Sequence, residues 1–276
     1  MKLLAPFALL LALSLCAPAQ VRKGGSKRTS APPQPASKAA PTPEPAKAGG
    51  AESGRTVVCI DPGHPSEVAS GQNIQNGTSE AHVDWVVAGK LREALEARGY
   101  EVVLTKSSEG ELVRNKDRAL IANRARAALM IRLHCDASAA RGFAVYYPDR
   151  RGRARDGSVG PARGVIEGSR RAAEAVHAGL AEGLQGALQD NGVRTDYQTK
   201  VGRDQGGALT GSIFSEVPVV TIEMVTLSDP GDAEFIKTEE GQRRMAAAIA
   251  DGVTRFVPPV KPAKPVREVT PGTKKQ

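Results

Sequence analysis

Short apolar runs that end in a metal-binding or acidic side chain recur along this chain, and they constrain its fold more than any other feature. Val57-Val58-Cys59-Ile60-Asp61-Pro62-Gly63-His64 reads as a strand running into a tight turn. Leu129-Met130-Ile131-Arg132-Leu133-His134 reads as a buried-type strand ending in His, and Val217–Glu223 as one ending in Glu. Helix patterns separate them. Glu80–Arg98 places Val83, Val86, Val87, Leu91, Ala94 and Leu95 at helical spacing, and Gly99 follows as a stop. Further helices are expected over 114–128, over 167–189, where Asn191-Gly192 follows, and from Thr238 as N-cap to Phe256. Residues 100–105 and 143–147 are β-branched or aromatic runs. Strands alternating with helices predict a single α/β domain, a mostly parallel twisted sheet with helices on both faces. Sites in such sheets lie at the carboxyl ends of strands, where His64, His134 and Glu223 fall.

The residue types at those ends suggest a chemistry. Two His and one Glu form a three-ligand set for catalytic zinc, with a fourth position open for water. Glu80, at a predicted helix start, completes the set with His64 and His134. Glu223 then remains as a proton acceptor for the water. Taken singly, each residue has a plainer reading. His64 fits a surface loop, His134 a satisfied buried His, and Glu80 an acid favoured by the helix dipole. Glu223 is the least ordinary, because an unpaired buried carboxylate is costly. Together the four imply a metal-dependent hydrolase. His82 and His177 read as structural or exposed. Asp61 and Asp136 flank the two His and are candidates to orient their rings. Glu216 is a weaker rival base, since it precedes its strand, and Arg118 is expected to pair with an acid.

The ends of the chain read differently. Met1-Lys2, the apolar Leu3 to Leu15 and Ala17-Pro18-Ala19 match an export signal over 1–19. Cys16 offers a lipoprotein alternative, disfavoured by Leu15. Residues 20–54 are rich in Pro, Ala, Ser, Gly and Lys and read as a disordered linker, as do the basic, Pro-rich residues 258–276. The folded domain is expected over 55–257. The formal charge of +8 resides in these ends: seven Lys/Arg against two Asp/Glu in 20–55, five against one in 258–276, and Lys2 leave 56–257 at about −2. Nucleic-acid binding by the folded part therefore has no support. The basic tails suit anionic envelope polymers. Cys59 and Cys135 lie in or beside core strands and are expected as free buried thiols.

The chain also carries a resemblance. Asp61-Pro62-Gly63-His64, Asn76-Gly77-Thr78-Ser79-Glu80, Arg118 with Ala122-Asn123, Leu133-His134-Cys135-Asp136-Ala137 and Thr221-Ile222-Glu223-Met224 resemble the zinc-dependent N-acetylmuramoyl-L-alanine amidases, bacterial cell-wall hydrolases. The resemblance spans residues 55–256. It implies zinc held by His64, Glu80 and His134, Glu223 as the catalytic carboxylate, and peptidoglycan as substrate in the periplasm or outside the cell. It also leaves room for a protein activator; a monomer is expected. Two positions depart from the family pattern: Pro65 stands where Gly is common after the first His, and Cys135-Asp136 displaces the usual Asn after the second. Segment 148–168 follows a core strand where some relatives carry an inhibitory plug. Here it is expected to be a mobile loop contacting substrate, with Glu167 as the plug alternative. A zinc peptidase acting on stem peptides, and a wall-binding protein without activity, are the competing functional readings.

Overall fold

Valine, isoleucine and leucine dominate the central strands because most of their length is buried, and the alternation of side chains sorts each strand between two layers. The computed structural model describes residues 54–136 and 140–260, with Asp136 described by its backbone alone. The predicted signal segment, and all but the margins of the predicted linker and tail, lie outside the described residues. The elements run β1 (Val57–Pro62), α1 (Glu80–Ala97), β2 (Glu101–Leu104), α2 (Asn115–Arg124), β3 (Leu129–Asp136), β4 (Phe143–Tyr147), β5 (Gly152–Arg153), β6 (Val159–Gly160), α3 (Arg163–Gly183), β7 (Asp190–Thr195), α4 (Lys200–Asp204), α5 (Thr210–Ile213), β8 (Val219–Thr226), α6 (Pro230–Lys237) and α7 (Glu239–Phe256).

Six strands form one sheet in the order β2-β1-β3-β8-β4-β7. The neighbours β2, β1, β3 and β8 are parallel, β4 is antiparallel to β8, and β7 is parallel to β4. The reversal at β4 follows from chain length. A parallel crossover needs about a dozen residues, and only residues 140–142, with the undescribed 137–139, separate β3 from β4. The expected mostly parallel sheet is therefore correct, with β4 and β7 running against the rest.

One face of the sheet packs on α1, α3 and α7. Val58, Ile60, Leu129, Ile131, Leu133, Val220, Ile222 and Met224 meet Leu91, Leu95, Val176, Leu180, Ile249 and Val253 in the main core. Residues of opposite parity face α2: Val57, Cys59, Met130 and Val219 pack with Ala122 and Ala127. This second layer is small and covers only the amino-terminal halves of the central strands. The carboxyl-terminal halves of β3 and β8 on that face stay open, and the site lies there.

Several boundaries differ from those expected. Helix α3 begins at Arg163, four residues before the expected start, and ends at Gly183; residues 190–195 then form a sheet-edge strand instead of a helix end. Within segment 148–168, expected as a loop, Gly152–Arg153 and Val159–Gly160 pair as a small hairpin, and the residues from Arg163 onward belong to α3. Thr238 caps α7 as expected, its side chain accepting from the Gly241 amide. The first residues of the predicted tail are tied down, because Val260 N donates to Thr56 Oγ1 at 3.0 Å. Cys59 and Cys135 are both buried and free, and burial pushes both thiols up in pKa.

Candidate metal centre

β1 delivers His64 through a turn that depends on Gly63. Its amide donates to Leu133 O at 2.9 Å, extending the β1–β3 ladder one residue beyond the strand. That pairing brings Gly63 under the His134 ring, where a Cβ would lie 2.3 Å from Cε1; no larger residue fits. His64 is buried, and its Nδ1 lies 3.1 Å from Ala69 O. A carbonyl accepts only from N–H, so this contact places the proton on Nδ1 and leaves the Nε2 lone pair free.

Glu80 opens α1. Ser79 caps the helix, accepting from His82 N, and the carboxylate benefits from the positive helix end. Glu80 Oε1 lies 3.3 Å from His64 Nε2 and 3.1 Å from His134 Nδ1, and it accepts from Cys135 N at 3.2 Å. Burial raises the Glu80 pKa, but the His134 and His64 rings beside it outweigh burial and hold the carboxyl far below its usual range. Burial lowers the pKa of His134, favouring the neutral ring. The two imidazoles meet edge to face, with centroids 5.1 Å apart.

One donor atom from each of His64, Glu80 and His134 lies within 4.8 Å of the others. With zinc–ligand distances of about 2.0–2.1 Å, a tetrahedral site has donor–donor edges of about 3.3 Å. The Glu80–His64 and Glu80–His134 edges, 3.3 and 3.1 Å, fit that ion. Glu223 stands beside the triad, because β8 pairs Glu223 with His134 in register. It lines, with His64 and His134, a groove of about 1100 Å³.

A buried ionic network supports the His64 turn. Arg118 donates to Asp61 Oδ1 at 2.6 Å, Val113 O at 2.9 Å and Pro65 O at 2.7 Å, and also to Pro62 O. Arg132 Nε reaches Asp61 Oδ2 at 3.0 Å, and Thr105 Oγ1 donates to Oδ1. Burial opposes ionisation of Asp61, but the charges of Arg118 and Arg132 prevail and lower its pKa. Asp61 therefore orients no imidazole, contrary to its candidate role; two guanidiniums occupy it. Arg118 pairs with an acid as expected, and it also fixes three backbone carbonyls. Asn123 Nδ2 donates to Phe214 O and its Oδ1 accepts from Glu216 N, clamping the approach to β8.

The remaining candidates lie elsewhere. His82 pairs with Glu109 at the surface, and His177 with Asp190. Glu216 is exposed at the far end of β8 from Glu223. Glu167 is exposed on α3 and pairs with Arg163. The side chain of Asp136 lies outside the described residues. Lys106, unremarked in the sequence, donates to the carbonyls of His64 and Glu109. Its position just after β2 was the only available signal.

Comparison with known proteins places the chain among related folds and families. Residues 58–255 match the family model Amidase_3, described as N-acetylmuramoyl-L-alanine amidase. The N-acetylmuramoyl-L-alanine amidase Rv3717 of Mycobacterium tuberculosis is 26% identical over 224 residues, covering 73% of this chain and 86% of that protein. The amidase AmiA of Escherichia coli is 26% identical over 228 residues, covering 74% and 76%. Among solved structures, the catalytic domain of the amidase CwlV from Bacillus (Paenibacillus) polymyxa superposes with a TM-score of 0.57 at 24% identity, covering 73% of this chain and 97% of that one. The amidase AmiC2 of Nostoc punctiforme gives 0.58 at 21%, covering 73% and 96%. At such identities the superpositions speak for the fold.

Proposed function

The chain belongs to the Amidase_3 family of N-acetylmuramoyl-L-alanine amidases, and from that premise we propose that it works as a zinc enzyme through His64, Glu80, His134 and Glu223. The reaction is hydrolysis of the amide between N-acetylmuramic acid and L-alanine in peptidoglycan. The observation that carries the zinc reading is Glu80 Oε1 lying 3.3 and 3.1 Å from one nitrogen of each histidine. Zinc held there would polarise the scissile carbonyl and acidify water. His64 presents Nε2 because Ala69 O holds its other nitrogen. Glu223, across the strand pair from His134, takes a proton from the attacking water and returns it to the leaving nitrogen, a general acid–base role worth about 10²–10⁴-fold.

Export is part of the same reading, since peptidoglycan lies outside the cytoplasm and residues 1–19 have signal composition. Among the described residues no helix is long and apolar enough to cross a membrane. The basic tails would favour anionic envelope polymers.

Mass spectrometry of material released from purified peptidoglycan tests the reading, with wild type beside Glu223→Ala. Stem peptides beginning at L-alanine, with intact glycan, are expected from wild type alone. Full activity in Glu223→Ala would remove that residue from the mechanism. Cleavage inside the stem would make the protein a peptidase, and release by neither would favour a binding role.

A further inference from the structure

The open sheet face is graded in rows along its strands. Side chains two residues apart share a face about 7 Å apart. Met130 and Val219, paired across β3 and β8, belong to the apolar layer under α2. The next row sets Arg132 beside Thr221, and the row above sets His134 beside Glu223. All four of these polar residues line the groove.

The Arg132/Thr221 row has unused hydrogen-bonding capacity. Thr221 is 4% exposed and its Oγ1 has no hydrogen-bond partner among the described residues. Arg132 is 3% exposed. Its Nε donates to Asp61 and its Nη2 to Asn115 Oδ1 at 2.7 Å, which leaves Nη1 without a partner among the described residues. Gly211 lies against the guanidinium, where a Cβ would come within 2.9 Å of Cζ, so the fork is held in place. Arg118 and Arg132 share the one carboxylate of Asp61. Two buried guanidiniums thus share one buried carboxylate, so one positive charge at the groove floor has no carboxylate of its own. On the rim, Arg153 and Arg155 are exposed and form no ion pair among the described residues.

We propose that Arg132 and Thr221 form a subsite for a carboxylate on the peptide side of the substrate, two residues beyond the scissile nitrogen. An extended peptide advances about 3.3–3.6 Å per residue, so two residues span the roughly 7 Å between the rows. The guanidinium supplies a charge-assisted donor and the threonine hydroxyl a second one. The proposal rests on the amidase reading of the neighbouring row.

Two synthetic N-acetylmuramoyl dipeptides test it, identical except that the second residue bears either a free carboxylate or its carboxamide. Wild type is expected to favour the carboxylate by about 10- to 100-fold in kcat/KM, the range for a hydrogen bond to a charged group. Arg132→Gln should bring the ratio toward one, and Arg132→Lys should restore part of it, supplying charge without the planar fork. Simple loss of stability would lower both substrates together and leave the ratio unchanged. Should Arg132→Gln fail to fold, the wild-type ratio and Thr221→Val decide, the latter raising KM for the carboxylate substrate while sparing kcat. A wild-type ratio near one, with both substrates cleaved, overturns the subsite and leaves the amidase reading intact. Cleavage of neither overturns the amidase reading and the subsite with it.

Discussion

Gly63→Ala separates the metal site from the fold with a single methyl group. The added Cβ would lie 2.3 Å from His134 Cε1 and 2.6 Å from both ring nitrogens. Nonbonded carbons settle at about 3.5–4.0 Å, so the two groups must part by more than about 1 Å. The backbone has little room to give. Gly63 N is bonded to Leu133 O, and Arg118 holds the carbonyls of Pro62 and Pro65. The ring therefore moves, and its Nδ1 leaves the position 3.1 Å from Glu80. Metal sites tolerate ligand displacements of about 0.2 Å, and a misplacement of about 1 Å costs on the order of 10²-fold in rate. Overpacking itself costs about 1–3 kcal/mol, which a domain of ordinary stability survives. The variant should thus melt cooperatively at a somewhat lower temperature, lose zinc in dialysis against a fixed free-zinc buffer, and lose about 10²-fold in kcat/KM. Gly89→Ala is the control. It lies within α1 with nothing within 4 Å of a new Cβ, so it should gain about 0.5–1 kcal/mol and keep its zinc. Wild-type zinc content and activity in folded Gly63→Ala would refute the steric argument.

Two further outcomes follow from the Asp61 network. Arg118→Met removes a fully buried partner, and breaking a buried pair costs about 3–5 kcal/mol. Arg132 still holds Asp61, which places the expected loss near the lower figure; a loss below about 1 kcal/mol in urea melts would count against the network. The same network sets an acid limb. The folded pKa of Asp61 lies below its unfolded value of about 3.9. Its stabilisation is therefore complete above that value and lost as pH falls through the lower, folded one. Urea melts should show stability from this group falling with acid below about pH 4, and stability rising there instead would reverse the assignment.

The elements that could be read ahead were those whose own pattern suffices. α1 has its apolar stripe, Ser79 as cap and Gly99 after it; α7 has Thr238. β7 is not legible in the sequence because Asp190-Asn191-Gly192 reads as a turn, and only pairing with β4 makes that edge segment a strand. The start of α3 is obscured in the sequence by Gly164, Gly168 and the surrounding arginines, and packing settles it at Arg163. Arg132 was visible as a charge inside an apolar strand two residues before His134, yet its partner Asp61 lies 71 positions away.

By itself the sequence determined which residues stand at strand ends and which face each side chain takes, because periods of two and 3.6 are local properties of the backbone. Those local rules placed His64, His134 and Glu223 at one edge of a sheet and Glu80 at a helix start. Only the tertiary structure decided that Glu80 meets both imidazoles, that Glu223 registers with His134, and that two arginines share Asp61. The physical reason is that such distances depend on strand order, register and crossover path. These are settled by burying the whole core at once, and no single segment carries that information.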